Sequence, residues 1–264
     1  MQYTLGFIGC GNMGSALALA AAKTVDGNKI ALCDYCADKA TALAAKIGGT
    51  ACDAETLVKN SAFVVLGVKP QNMEDTLLPL RSALQSGNHV VISMAAGVSV
   101  SALETLISAH VPIIRIMPNT PAQVGAGMIL YDCKNVSADT EREFLACFAK
   151  AGVIDKLPEE KIDAASALSG CGPAFVYAFA EALADGAVEC GVPRDKAAIY
   201  AAQTLKGAAE MLLTYGHPAD LKDAVCSPGG TTIAGIHALE KAGFRNAAMD
   251  AVAAAYKRTL ELKK

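Results

Sequence analysis

Aromatic side chains are scarce in this 264-residue chain, at 5% of the sequence, and basic charge has no surplus. The 23 Lys and Arg stand against 26 Asp and Glu, for a formal net charge of −3, and there is no basic tail. A nucleic-acid surface needs clustered cationic charge, so that class of partner is excluded. Histidine is rarer still, with residues only at 89, 110, 217 and 237. Their spacing offers no complement to the CxxC pair Cys33 and Cys36, so a zinc site lacks its second half and no metal is expected. The nine cysteines are an odd number, and most lie in apolar runs such as Leu145-Ala146-Cys147-Phe148. They read as reduced thiols serving as small hydrophobes. An uncharged stretch of 18 residues, Leu5 to Ala22, raises the question of a membrane span. Four glycines and Asn12 interrupt it, and no basic segment precedes it as in a signal peptide. A buried strand, a turn and a helix start explain it better, in a soluble, cytoplasmic protein that engages no membrane.

What the chain has in quantity is alanine and glycine, which make up much of its 53% hydrophobic content. Its length suffices for two modest domains with substantial cores. Small residues of this kind suit closely packed helices and a large subunit interface.

The first half alternates strand-like runs with helical ones. The strand candidates are 3–9, 29–34, 63–68, 89–95 and 112–117, with 128–133 as a further edge strand. Helices are predicted between the first two strands, then over ADKATALAAKIG, QNMEDTLLPLRSAL and SVSALETLI. Continuous apolar strands alternating with helices indicate a mainly parallel, doubly wound sheet covered on both faces, of the Rossmann type.

Within that frame lies Gly9-Cys10-Gly11-Asn12-Met13-Gly14, a GxGxxG string. It leaves a predicted strand, opens a predicted helix, and is followed by a second strand ending in Asp34, the context that makes the motif dinucleotide-binding. Gly9 permits the tight turn, Gly11 keeps a Cβ away from a pyrophosphate, and Gly14 lets helix and strand approach. The N–H groups at the helix start then hold phosphate. Asp34 has two readings. It accepts hydrogen bonds from an adenosine ribose, favouring NAD over NADP, or it begins a turn before the helix at Ala37. Lys39 is the nearest cation. Val68-Lys69-Pro70, Ala95-Ala96-Gly97 and Asn119 follow the later strands, so they share the carboxyl edge of the sheet where ligands bind in such folds.

Strand signals stop after Lys156-Leu157. We therefore divide the chain into a dinucleotide-binding domain, 1–157, and an all-helical domain, 158–264. Helices are predicted over 159–190, with a break near Ser169–Pro173, and over 194–214, 218–225, 231–242 and 245–262. Glu181 and Asp185 lie one turn apart but belong to no acid–base motif, so they read as solvated or capping groups. In Cys226-Ser227-Pro228-Gly229-Gly230-Thr231-Thr232, adjacent glycines turn the backbone at a helix mouth, where unsatisfied N–H groups and the positive dipole end collect. This reads as a carboxylate receptor built without arginine, with Ser227 and Thr232 adding hydroxyls. The bland alternative is an ordinary turn and N-cap.

The run from Leu221-Lys222-Asp223 through Cys226–Thr232 to Leu239-Glu240 resembles the signature of Δ1-pyrroline-5-carboxylate reductases. GFIGCGNMG, the Val68-Lys69-Pro70 turn, Ala95-Ala96-Gly97, Met117-Pro118-Asn119-Thr120-Pro121 and Leu168–Ala174 match in order over essentially the whole chain. The resemblance implies hydride transfer from NADPH or NADH to the C=N carbon of a cyclic imino acid, the last step of proline synthesis. It implies a homodimer with interleaved helical domains, often assembled into a larger ring. Substrate contacts then fall to Ser227, Gly229, Gly230, Thr231 and Thr232, with Thr232 nearest the chemistry. Cofactor contacts fall to Gly9, Cys10, Gly11, Asn12, Met13, Asp34, Val68, Lys69, Pro70, Ala95, Ala96 and Asn119. The chain departs from the family at Asp34, where small or hydroxyl residues commonly accept an NADP phosphate. Two competitors stand beside this reading. A β-hydroxyacid dehydrogenase would carry a catalytic lysine where this chain has SGCGPAF. A non-catalytic NAD(P) sensor would have no need of the second anion site.

Overall fold

Apolar runs form the strands, and helices rich in small residues cover them. The computed structural model describes residues 1–108 and 110–262. The chain opens with β1 (Tyr3–Ile8), α1 (Asn12–Ala21), β2 (Ile30–Cys33), α2 (Ala37–Ile47), β3 (Thr50–Ala51), α3 (Ala54–Asn60) and β4 (Ser61–Leu66). It continues with α4 (Met73–Leu77), α5 (Arg81–Ser86), β5 (Val90–Ser93), α6 (Val100–Ile107) and β6 (Ile113–Met117). Then come β7 (Gly127–Lys134), α7 (Ala138–Phe148), β8 (Gly152–Lys156) and α8 (Glu159–Ser169). The last helices are α9 (Gly172–Glu189), α10 (Arg194–Tyr215), α11 (Pro218–Val225), α12 (Thr231–Lys241) and α13 (Phe244–Leu262).

The strands form one eight-stranded sheet in the order β3-β2-β1-β4-β5-β6-β7-β8. Every neighbouring pair is parallel except β6 and β7. Side chains alternate between its faces as the pleat requires. Phe63 and Val65 join Phe7, Leu17 and Leu32 on one side, while Val64 and Leu66 join Leu57, Met73 and Leu103 on the other. Each such fully buried side chain contributes about 1.5–3 kcal/mol, so the two layers hold the sheet between them.

The residues 128–133, expected at an edge, lie in β7 inside the sheet, with β8 outside it. The helix predicted over QNMEDTLLPLRSAL is interrupted after α4, because Pro79 has no N–H to continue the ladder.

The described chain separates into two compact units. One holds Met1–Cys171 with the chain from Ala255, and the other holds Gly172–Ala254. Helix α8 falls in the first of these units. The physical reason is a buried charge. Arg115 on β6 is 2% exposed and donates to Asp163 on α8 at 2.5 Å and to Glu159 at 3.3 Å. Glu159 also accepts the Val100 N–H at the mouth of α6, at 2.7 Å. In the second unit, α9 and α10 pack together through Ala184, Ala197 and Ala201.

Candidate functional site

The order of strands reverses beside β1, where β2 lies to one side and β4 to the other. At such a switch point the loops leaving the strands part and open a crevice. Gly9 and Gly67 stand there at the ends of β1 and β4. Gly9 has a φ of +104°, and a Cβ on it would come within 2.7 Å of the Gly67 backbone. A Cβ on Gly14 would lie 2.0 Å from the Gly9 carbonyl oxygen, so its absence lets α1 meet the strand. Gly11 differs, since nothing lies within 4 Å of where its Cβ would be. The protein itself does not require glycine there; a ligand passing over the loop would.

Gly11 caps α1, and the first helical bond runs from the Ser15 N–H to the Gly11 carbonyl. The N–H groups of Asn12, Met13 and Gly14 therefore have no acceptor within the helix. No acidic residue lies in the first turn to occupy the positive end of its dipole. The cradle fits the pyrophosphate of a dinucleotide.

Cys10 is placed otherwise than a free phosphate donor. Its N–H donates to Asp34 Oδ2 at 2.6 Å, while Asp34 Oδ1 accepts the Cys36 N–H at 2.9 Å. Asp34 thus fastens the glycine loop to the turn that opens α2, whose N-cap is Cys36. Of the other expected cofactor residues, Lys69 and Pro70 are exposed after β4, and Ala95 and Ala96 follow β5 in a turn containing Gly97 at φ +75°. Val68 packs partly against the core. Asn119 is buried, with both ends of its amide committed: Nδ2 donates to the Ser169 carbonyl, and Oδ1 accepts the Met128 N–H, each at 2.9 Å. It joins the end of β6 to α8 and β7.

The turn before α12 gives each glycine a local reason. Gly229 has a φ of +70°, and the Gly230 N–H donates to the Ser227 carbonyl at 3.0 Å, as a Pro-Gly turn demands. A Cβ on Gly230 would fall 2.3 Å from Ser227 Oγ, so a side chain there would disturb the turn itself. Gly230 caps α12 without a side-chain hydrogen bond, and the Ala234 N–H is bonded to the Gly230 carbonyl. The N–H groups of Thr231, Thr232 and Ile233 are left without helical acceptors. Both threonines are exposed, and neither hydroxyl has a protein partner among the described residues.

Burial pushes the Cys10 thiol up to about 12 and the Cys147 thiol up to about 11, and it also raises Cys33 and Cys52. All nine cysteines are free. Among the described residues no three His, Cys, Asp or Glu are grouped to hold an ion. Asp185 pairs with Arg194, a surface ion pair rather than half of a carboxylate dyad. A cavity of about 330 Å³ beside Lys222, Leu239 and Phe244 does not include the Ser227–Thr232 turn. Another of about 530 Å³ lies at the amino ends of β1 and β4, opposite the carboxyl edge.

A glycine cradle at the switch point of a doubly wound sheet defines a dinucleotide-binding protein, here with a helical second half. The comparisons with known proteins agree. Residues 4–97 match the family model described as NADP oxidoreductase coenzyme F420-dependent, and residues 159–262 match that for pyrroline-5-carboxylate reductase dimerisation. A pyrroline-5-carboxylate reductase of Pisum sativum is 41% identical, covering 99% of this chain and 96% of that protein. One from Methanosarcina acetivorans is 42% identical, covering 98% of each. The crystal structure of Plasmodium falciparum pyrroline carboxylate reductase with NADP bound superposes with a TM-score of 0.90 at 32% identity, each chain wholly covered. The chain belongs to the pyrroline-5-carboxylate reductase family.

Proposed function

We infer that this protein reduces Δ1-pyrroline-5-carboxylate to L-proline with NAD(P)H, the last step of proline synthesis. The observation that carries the substrate is the Ser227–Thr232 turn, with its uncommitted N–H groups and unpartnered hydroxyls. A carboxylate fits donors at a positive helix end. A protonated cyclic imine is already an electrophile, which suits a site lacking any strong acid–base pair. The bound nicotinamide supplies the hydride. The chain's own task is to hold the carboxylate with the free N–H groups of Thr231, Thr232 and Ile233, the Gly230 N–H being spent on the Ser227 carbonyl, and to meet the ring nitrogen with the Thr232 hydroxyl. In the first unit Gly9, Gly11, Asn12 and Met13 cradle the pyrophosphate. Cys10 and Asp34 shape the adenosine end, while Val68, Lys69, Pro70, Ala95, Ala96 and Asn119 line or support the remaining sheet edge.

The working form is a homodimer, assembled further into a ring. Side chains such as Tyr177, Ile199 and Leu213 stand exposed in the helical half, which matches a dimerisation model. The run Glu159–Glu189 is long and apolar enough for a membrane, yet it is interrupted between α8 and α9. Its apolar residues serve the partner subunit in a soluble, cytoplasmic enzyme.

Thr232→Ala tests the assignment. It is expected to lower kcat/KM for the imine by roughly 10- to 1,000-fold, the range for lost positioning or transition-state hydrogen bonds, with NAD(P)H binding unchanged. Parent kinetics in this variant, or a loss confined to coenzyme binding, would overturn it.

A further inference from the structure

Asp34 holds the position after β2 where dinucleotide folds read the adenosine ribose. Its carboxylate is not free to move. Oδ2 is bound to the Cys10 N–H of the glycine loop at 2.6 Å, and Oδ1 to the Cys36 N–H of the next turn at 2.9 Å. Swinging it aside would strip the partly buried Cys10 amide of its acceptor, and unsatisfied buried donors are costly. Each oxygen keeps a second lone-pair direction, so the fixed carboxylate can still accept from a pair of hydroxyls. A ribose diol offers such donors. A 2′-phosphate offers no donor at that carbon and adds negative charge beside a carboxylate that cannot retreat.

The adjoining sequence offers a single cation, Lys39, to offset that charge. The sequence from Asp34 to Lys39 reads DYCADK, in which Asp38 adds a second acid. Tyr35, Cys36 and Lys39 are exposed. The chain contains no arginine before Arg81, and the guanidinium of Arg81 is bound to the Leu106 carbonyl. The planar fork that suits phosphate is therefore absent from the segments Gly9–Gly14 and Asp34–Lys39 themselves.

We propose that this enzyme selects NADH over NADPH, and that Asp34, fastened by the Cys10 and Cys36 amides, is the selecting residue. The proposal sharpens the oxidoreductase reading above but is tested without substrate. Full-length protein is titrated with NADH and with NADPH, following the fluorescence of the bound reduced nicotinamide and confirming by calorimetry. NADH is expected to bind at least about tenfold more tightly, the lower end of what one close like-charge contact produces. Asp34→Ser is expected to bring the two dissociation constants within about threefold of each other, mainly by tightening NADPH. Asp34→Asn keeps an acceptor for the Cys10 amide but loses the charge, so it is expected to relax the preference likewise. Parent protein that binds NADPH as tightly as NADH overturns the proposal. So does an Asp34→Ser protein that weakens both coenzymes equally while Asp34→Asn restores both, since that pattern assigns Asp34 to loop fastening alone. Failure here leaves imine reduction standing, and an enzyme inactive on the imine could still show the expected coenzyme ratio.

Discussion

The two units of this chain treat their apolar side chains in opposite ways. The sheet-bearing unit buries Phe7, Phe63, Phe144, Leu57 and Met73 almost completely within itself. Among the described residues of Gly172–Ala254, the buried hydrophobics are Ala184, Ala197 and Ala201 alone, while Leu213 is 85% exposed and Tyr177, Ile199 and Met249 stand in solvent. Large apolar patches on a soluble surface mark interaction sites. The first unit completes its core from its own chain; the second has the helices for a core but lacks the opposing layer. A dimerisation family model over the same region supplies the kind of partner expected.

The strongest way to break this contrast is to place charges on the helical face. Tyr177→Asp combined with Leu213→Asp is expected to give monomers by light scattering and to lower turnover at least about a hundredfold. Burying an unpaired charge costs several kcal/mol, and two of them outweigh most interfaces. An intact oligomer with parent activity would show that this face is not the interface.

The next test concerns the self-sufficient unit. Arg115→Leu leaves Asp163 and Glu159 without their guanidinium and is expected to cost about 3–5 kcal/mol, read from the shift in urea midpoint. A loss below about 1 kcal/mol would remove the reason given for α8 joining the sheet.

Two glycines of one loop give the smallest and sharpest contrast. Gly14→Ala drives a Cβ against the Gly9 carbonyl and is expected to cost about 1–3 kcal/mol, lowering the melting temperature by several degrees. Gly11→Ala meets no protein atom and is expected to leave melting unchanged while weakening coenzyme binding at least about tenfold. If both changes act on stability alone, the crevice over Gly11 is not the coenzyme site.

Much of this was legible because the signals are local. The five parallel strands from β1 to β6, leaving aside the two-residue β3, show as apolar runs, and all six helices after Leu157 lie within a residue or two of their predicted spans. What escaped has a physical reason in each case. The β8 sequence GVIDK carries two charges and exposes Val153, so neither an apolar run nor a clean alternation announces it. Strand β3 is two residues long, and α3 is short, with Asp53 as its cap. Helix α7 presents alternating charge and only three buried side chains.

For the site, glycine spacing announced the cradle and CSPGGTT announced the turn. Spacing could not show that Asp34 already holds the Cys10 amide, or that Asn119 spends its amide on Ser169 and Met128. Those are contacts between distant segments. A faint signal for Arg115 was present, a lone charge inside PIIRIM, but its partners lie on a helix more than forty residues away.

Purified protein given Δ1-pyrroline-5-carboxylate provides the most direct test of the reaction. Incubated with the imine and either reduced coenzyme, it is expected to consume NADH or NADPH, followed by absorbance, and to release L-proline in equal molar amount. Coenzyme that stays reduced in the presence of the imine, with properly assembled protein, would contradict it.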